Sequence, residues 1–196
     1  MKNLIIIFLM FLMFLMFLSF RAYTQEYSLN TSPYDIPVNG YLKDMENKYN
    51  KYIGLWKGNW NGKTIYLELK KVKYYYTGSH PFYSDELLGE RKILDYNGNI
   101  EIDRISNFDY QHPEIWGMGL PTGVNGHNYP SLNFYPKSMC GINARLAITN
   151  ITPTQMTLHL TAIMGGTEPN CIHDAYVQQH GEYPVNFPKD IVLTKQ

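Results

Sequence analysis

Three side chains with metal-binding chemistry lie close together near the C-terminal end of the chain. Cys171, His173 and Asp174 offer a thiolate, an imidazole and a carboxylate within four residues. The sequence has no second Cys or His pair at the spacing of a zinc site, so metal binding is the weaker interpretation. The other cysteine is Cys140, and a Cys140–Cys171 disulfide is favoured. We therefore expect no metal and no cofactor.

Candidate catalytic residues are confined to the same region. Glu168, His173 and Asp174 form the most compact cluster of acids and imidazole, since the six histidines are otherwise dispersed. A solvated loop beside the disulfide explains this cluster more simply than an active site does. The sequence also lacks a nucleophile elbow, a metalloprotease helix and a glycine-rich phosphate loop. We expect a protein that is not an enzyme and has no catalytic residues.

The N-terminal segment, residues 1–24, has the pattern of a secretory signal peptide. Lys2 precedes an unbroken apolar run from Leu4 to Leu18, and Ala22 and Thr24 occupy the small-residue positions before a cleavage site. A membrane anchor is the alternative, but this run is shorter than the roughly 20 residues that a spanning helix needs. We expect cleavage after Thr24, a secreted or periplasmic protein, and no membrane span in the mature chain.

Charge argues against two classes of partner. The sequence has 17 basic and 17 acidic residues, and removal of Lys2 and Arg21 with the signal peptide leaves 15 basic residues. A nearly neutral chain is a poor match for nucleic acid or for an anionic membrane surface. Export would also place both cysteines in an oxidising compartment, where disulfides persist.

The stretch from Gly54 to Val72 encodes a β-hairpin. Asn61-Gly62 suits a type I′ turn, because both residues tolerate positive φ. A two-residue turn sets the register of the paired residues. The expected pairs are Trp60–Lys63, Gly58–Ile65, Trp56–Leu67 and Gly54–Leu69, with both tryptophans and the apolar residues on one buried face. The apolar alternation then changes phase, so we expect a one-residue bulge near Lys70-Lys71.

A second hairpin is expected from Leu87 to Tyr96 and from Asn99 to Ser106, around Asn97-Gly98. A two-residue turn is preferred, because it opposes Lys92 with Asp103 and Ile93 with Ile102. A three-residue turn is the alternative. It would oppose Leu94 with Ile102 but would place Lys92 against Arg104.

A third hairpin is expected from Ile142 to Ile151 and from Gln155 to Met164, with Thr152-Pro153-Thr154 as its turn. Every opposed pair on one face is then apolar. These pairs are Ile148–Leu158, Leu146–Leu160, Ala144–Ala162 and Ile142–Met164.

The remaining segments have weaker patterns. Residues 25–48 are expected to be irregular, and Tyr41 to Tyr52 carries apolar residues near helical spacing, which predicts a short N-terminal helical turn. Residues 107–141 are rich in Gly, Pro and aromatic residues, which predicts one long ordered loop with room for a strand at 131–135. A closing strand is expected at Ile191 to Thr194.

Three hairpins and one or two further strands predict an all-β fold, an antiparallel up-and-down β-barrel of about eight strands over residues 49–196. Gly54-Leu-Trp56, after a short helical turn, resembles the glycine-x-tryptophan signature of lipocalins and their calycin relatives. The wider run from Tyr52 to Val72, with Asp85-Glu-Leu-Leu-Gly89, resembles a group of uncharacterised secreted bacterial proteins with a lipocalin-like barrel. The resemblance implies that Trp56 plugs the closed base. Lipocalins pair that tryptophan with a late-strand Arg, where this chain has only Lys195.

Connection lengths predict two different ends of the barrel. The short turns at 61–62, 97–98 and 152–154 would share one end, and the long connections would share the other, together with the disulfide. One extra strand within 107–141 would reverse this arrangement for the third hairpin.

Two hypotheses for function follow from the barrel. In the first, the protein binds a small apolar ligand in the cell envelope, because an eight-stranded barrel can enclose one. The expected ligand-binding residues are Trp60, Tyr74, Tyr76, Leu158 and Leu160. In the alternative, a non-enzymatic interaction module docks a protein partner through the aromatic loop 107–141. The expected partner-binding residues are Tyr110, Trp116, His127 and Tyr129.

Overall fold

The computed structural model describes residue 10 and residues 25–117, 131–137, 139–164, 171–181, 183 and 186–196. The described residues therefore exclude the predicted signal peptide except Met10, and they also exclude Glu168, His127 and Tyr129. No helix in the described part of the chain is long and apolar enough to cross a membrane.

The described residues form eleven strands and one α-helix. The strands are β1 (Glu26–Ser28), β2 (Tyr41–Lys43), β3 (Gly54–Trp60), β4 (Lys63–Tyr76), β5 (Phe82–Leu94), β6 (Ile100–Asp103), β7 (Ile115–Trp116), β8 (Ser131–Phe134), β9 (Asn143–Ile151), β10 (Gln155–Met164) and β11 (Asp190–Lys195). The helix α1 is Asp174–His180, and 3-10 turns occupy Pro33–Asp35 and Ile105–Asn107.

Eight of these strands close a barrel. Their order is β5, β4, β3, β11, β10, β9, β8 and β7, and β7 pairs back onto β5. Every pairing around this ring is antiparallel, and each barrel strand adjoins the one before it in the chain once β6 is set aside. The expected up-and-down antiparallel barrel of about eight strands is confirmed. Closure removes the free sheet edges of this ring.

Strand β5 extends beyond the part that pairs with barrel strands on both of its edges. Along one edge it pairs with three different strands. From its start to its end these are β2 at Tyr83 and Ser84, β7 at Leu88 and Gly89, and β6 from Lys92. Strand β1 adds to β2 in parallel. The prediction that residues 25–48 are irregular was therefore wrong for β1 and β2. The protruding part of β5 offers backbone groups that the N-terminal segment can pair with.

The first hairpin has the predicted register. Trp60 pairs with Lys63, Gly58 with Ile65, Trp56 with Leu67 and Gly54 with Leu69. Asn61 and Gly62 have φ of 48° and 79°, the positive values that a type I′ turn requires.

The predicted bulge near Lys70-Lys71 was wrong. Strand β4 pairs with β5 at every position from Thr64–Leu94 to Tyr76–Phe82, without a shift in register. Because β3 begins opposite Leu69, the later part of β4 extends beyond the barrel. Lys71 and Lys73 lie on the same face of β4 as Ile65, Leu67 and Leu69, but beyond the barrel this face does not contact the core, so charged side chains are tolerated. The alternation does not change phase, and Tyr74 and Tyr76 face outward.

The other two hairpins match the predictions in part. Lys92 pairs with Asp103 and Ile93 with Ile102, as preferred, before a shift at Leu94. In the third hairpin Leu158 pairs with Ile148 and Leu160 with Leu146, as predicted. Irregularities after Thr157 and Leu160 displace the outer pairs, so that Ala162 opposes Arg145 and Met164 opposes Asn143. The expected Ala144–Ala162 and Ile142–Met164 pairs are therefore wrong.

The barrel has a base and a mouth. The base holds the turn 152–154, the end of β11 and residues 44–53, while the mouth holds the turns 61–62 and 95–99 and residues 135–142. The prediction that 152–154 and 61–62 share one end was wrong. Strand β8 is the extra strand that reverses the direction of the third hairpin.

The base is plugged by aromatic side chains. Trp56 is fully buried and its Nε1–H donates to the Tyr52 carbonyl at 2.8 Å, while the Lys195 ammonium lies 5.2 Å from the Trp56 ring centre. Tyr49 and Tyr52 are buried beside it, and the Tyr52 N–H donates to the Tyr49 carbonyl in a hydrogen-bonded turn. The expected helical turn is shorter than predicted, because its first residue, Tyr41, lies in β2.

The mouth is filled by residues that precede β11. Phe187 is buried and its ring packs against Phe134 at 5.2 Å between centroids. Asn186 accepts two hydrogen bonds from the Arg91 guanidinium, through its carbonyl at 2.5 Å and its side-chain oxygen at 2.9 Å. The disulfide Cys140–Cys171 joins residues 135–142 to the start of this segment, and the predicted bridge is confirmed.

Candidate functional site

The structure divides the residues predicted to bind an internal ligand. Leu158 is fully buried in the core, and Trp60 and Leu160 pack against it from the side. Tyr74 and Tyr76 lie on the outer face of β4, so they cannot line the same cavity as Leu158.

Buried side chains line the described interior of the barrel from the base to the mouth. Fully buried residues extend from Trp56 at the base, through Leu67 and Leu146, to Phe134 at the mouth. Arg91 is also fully buried and forms an ion pair with Glu114, Nε to Oε2 at 2.8 Å. Its guanidinium lies 4.8 Å from the Phe134 ring centre. These residues belong to one buried core, apart from the Arg91–Glu114 pair that lies among them.

Four aromatic side chains instead cluster on the outer face of the sheet. We define the outer aromatic cluster as Tyr74, Tyr76, Phe82 and Trp116, which lie on β4, β5 and β7. The ring centres of Tyr74 and Trp116 are 4.8 Å apart, those of Tyr74 and Tyr76 are 5.0 Å apart, and Phe82 stacks on Tyr76 at 4.7 Å. All four side chains are half-buried. They form one surface because β4, β5 and β7 are consecutive strands of the sheet, with β5 in the middle.

A carboxylate lies between these rings. Glu86 on β5 is 6% exposed, and it accepts hydrogen bonds from the Tyr76 hydroxyl at 3.0 Å and from the Trp116 indole Nε1–H at 3.2 Å. Burial raises the pKa of Glu86, although the hydrogen bonds it accepts act in the opposite direction. Burial and the nearby Glu86 charge likewise raise the pKa of Tyr76. The carboxylate fixes the orientation of both aromatic side chains.

Three tyrosines lie on the opposite face of the same part of the sheet. Tyr41, Tyr83 and Tyr75 occupy neighbouring positions on β2, β5 and β4. The Lys73 ammonium lies 4.1 Å from the Tyr41 ring centre and 4.5 Å from that of Tyr83. The Tyr41 hydroxyl donates to Asp85 at 2.6 Å, and burial together with this bond raises the pKa of Tyr41. The Lys73 ammonium thus already lies over two of the three rings on this face.

The loop between β6 and β7 is ordered over its described part. Asp109 accepts from the backbone N–H groups of Gln111 and His112 and from the Lys137 ammonium at 2.6 Å, and this last bond is the main reason for its lowered pKa. Tyr110 is exposed and packs against Phe108 at 4.7 Å. Of the predicted partner-binding residues, Tyr110 and Trp116 are therefore described, and both lie at the outer surface.

The comparison with known proteins assigns the chain to a family. A family model described as "Family of unknown function (DUF6705)" matches residues 1–196. The chain belongs to this family. No curated protein and no solved structure matches it.

In this family member the sequence reasoning missed Glu86 and Phe82. Their signal was the alternation of β5. Side chains alternate between the two faces of β5, so Phe82, Glu86, Leu88 and Leu94 lie on the same, outer face. Glu86 is therefore a polar residue on a face that also carries apolar side chains. An uninterrupted β4 would have placed Tyr74 and Tyr76 opposite that row.

The predicted cysteine chemistry is resolved by the disulfide. Cys140 and Cys171 have Cα atoms 5.7 Å apart and are bonded, so the Cys171 thiolate is not available beside His173 and Asp174. Within the described residues no group of three His, Cys, Asp or Glu side chains is arranged to hold a metal.

Proposed function

We propose that this protein is an exported, non-enzymatic interaction protein that binds a protein partner through the outer aromatic cluster. One observation supports this proposal above the others. Four half-buried aromatic side chains lie together on the outer surface and two of them are held by Glu86, whereas the described inward-facing aromatic residues Trp56 and Phe134 are fully buried in the core.

The physical argument rests on the cost of ordering side chains. Trp and Tyr are frequent at the centres of protein interfaces because they bury a large area with few rotatable bonds. Trp116 and Tyr76 are already held by hydrogen bonds to Glu86, so a partner that binds them has less conformational freedom to remove. Phe187, by contrast, is buried against Phe134 at the mouth of the barrel, where a partner cannot reach it directly.

Export is part of the same proposal. The disulfide is typical of proteins outside the reducing cytosol. The apolar run from Leu4 to Leu18 supplies a secretion signal in the sequence. The mass of the exported protein should correspond to a chain that begins at Gln25, and retention of the first 24 residues would favour an anchored form.

Site-specific photo-cross-linking tests the interaction. A photoreactive amino acid at Phe82 of the exported protein should capture one partner, and the same group at Tyr96 should not. Tyr96 is 81% exposed and lies at the mouth, far from the cluster, which makes it a matched aromatic control. The captured protein is then identified and purified, and its affinity is measured directly.

With the purified partner, Trp116→Ala should weaken binding by about tenfold or more, the loss typical of an aromatic interface anchor. Tyr96→Ala should leave the affinity unchanged. Equal cross-linking at both positions, or equal affinities for the two variants, would contradict the proposed site.

A further inference from the structure

Above its raised pKa the Glu86 carboxylate is negatively charged, and no described lysine, arginine or histidine side chain forms an ion pair with it. Its hydrogen-bond donors include the Tyr76 hydroxyl, the Trp116 indole and the Ser84 side chain, and all three are uncharged. The nearby Asp85 is itself acidic and adds to the raised pKa of Glu86. The site therefore has a carboxyl group without a cationic partner, among the described residues, beneath its aromatic surface.

The neighbouring lysines of β4 are engaged elsewhere. The Lys70 ammonium pairs with Glu68 at 3.0 Å, and that of Lys71 lies 3.5 Å from Asp44. Lys73 lies on the other face of the sheet, over the Tyr41 ring. None of these three amines forms an ion pair with Glu86.

The aromatic rings add a second attraction for positive charge. The face of a Trp or Tyr ring attracts ammonium and guanidinium groups, most strongly where water is partly excluded. The chain uses this interaction nearby, since Lys70 lies 4.3 Å from the Phe108 ring centre. In the described residues no such cation lies over Tyr74, Tyr76, Phe82 or Trp116. Ring faces and carboxylate thus favour the same kind of ligand.

We propose that the outer aromatic cluster binds an organic cation, the ammonium or guanidinium group of a lysine or arginine side chain on the protein partner. This inference rests on the proposed function, and it names the chemistry that the partner presents. Charge complementarity of this kind sets specificity and docking orientation. A merely structural role for Glu86, which would only hold Trp116 and Tyr76 in place, predicts no preference for cations.

A small cation tests the proposal without knowledge of the partner. Tetramethylammonium chloride is titrated into the purified protein at constant ionic strength, and the indole N–H signals are followed by NMR. Trp116→Phe identifies the Trp116 signal among those of the three tryptophans. Tert-butanol, a neutral molecule of similar shape, is the matched probe. We expect a saturable shift of the Trp116 signal with tetramethylammonium and none with tert-butanol.

Charge variants separate the carboxylate from the protein's overall charge. Glu86→Gln keeps one acceptor oxygen for the Trp116 indole, and its amide NH2 can donate to the Tyr76 hydroxyl, which can also accept. The variant removes the charge, and it should weaken tetramethylammonium binding by about fivefold or more. Glu101→Gln removes an equal charge near the mouth, where Glu101 pairs with Lys63, and it should bind as the wild type does. Equal shifts with both probes, no saturable shift, or unchanged binding by Glu86→Gln would overturn the proposal.

The two proposals fail in different ways. Site-dependent cross-linking at Phe82 without tetramethylammonium binding would preserve the interaction surface and refute the cationic ligand. Tetramethylammonium binding without any cross-linked partner would preserve the cation site and refute the proposed protein interaction.

Discussion

The buried ion pair between Arg91 and Glu114 gives the sharpest test of how the barrel is held together. Arg91→Met keeps much of the side-chain length but removes every donor of the guanidinium. Glu114 then loses the bonds at 2.8 Å and 3.4 Å and retains a backbone N–H from Lys137 at 3.5 Å. Asn186 loses the two hydrogen bonds that it accepts from the guanidinium at the mouth.

The expected cost follows from the burial of both partners. Glu114 is 2% exposed, so its carboxylate would remain in the interior with no opposite charge. Removal of one member of a buried pair costs about 3–5 kcal/mol. For a domain of this size, that loss lowers the melting temperature by about 6–20 °C. The double variant Arg91→Met/Glu114→Gln has no buried charge at this site, so it should be more stable than Arg91→Met alone.

The measurement is urea unfolding followed by tryptophan fluorescence, which gives the free energy of unfolding for the wild type, both single variants and the double variant. Lys92→Met is the control, because the neighbouring Lys92–Asp103 pair is partly exposed and should contribute at most about 1 kcal/mol. A cost below about 1 kcal/mol for Arg91→Met would refute the reasoning. Additive effects of the two single variants would refute the coupling.

Three further predictions concern other parts of the structure. Burial raises the pKa of Glu86, so the folded state binds this proton more tightly than the unfolded state, and the free energy of unfolding should fall as pH rises from about 4.5 through the raised pKa. Urea titrations at several pH values should show a smaller fall for Glu86→Gln. An unchanged pH profile in this variant would contradict the prediction. Cys140→Ser/Cys171→Ser removes a bridge across 31 residues and should lower the free energy of unfolding by about 3.7 kcal/mol, whereas a loss equal to zero would show that the loops are held without it. Phe187→Ala should lower the free energy of unfolding in urea by about 3–5 kcal/mol, because it removes a buried ring. The variant should also bind a hydrophobic fluorophore at the mouth. Equal fluorophore binding by the wild type would show that the barrel is open to small apolar ligands.

Local sequence patterns predicted the parts of the fold that local chemistry decides. The register from Gly54 to Leu69 follows from Asn61-Gly62, because a two-residue turn leaves one way to pair the strands. The pairing of Cys140 with Cys171 was likewise predictable, since the chain has two cysteines. The buried position of Trp56 follows from the apolar face of the same hairpin.

The candidate site was only partly predictable. Tyr74, Tyr76 and Trp116 were all identified as candidate binding residues, but they were assigned to two different sites. The reason was the phase of β4, because a bulge would have turned Tyr74 and Tyr76 inward. The course of β4 beyond the barrel depends on where β3 begins, and a single strand's alternation does not contain that information.

The sequence by itself determined the class of fold, the first hairpin and the disulfide, because turn residues, alternation and cysteine number act over short distances or leave one choice. Tertiary structure alone decided which side of the sheet carries the outer aromatic cluster. It extended β4 and β5 past the barrel, brought β7 next to β5 so that Trp116 reaches Glu86, and placed Phe187 in the mouth. Each of these depends on contacts between residues far apart in the chain, where burial and strand pairing outweigh local preference.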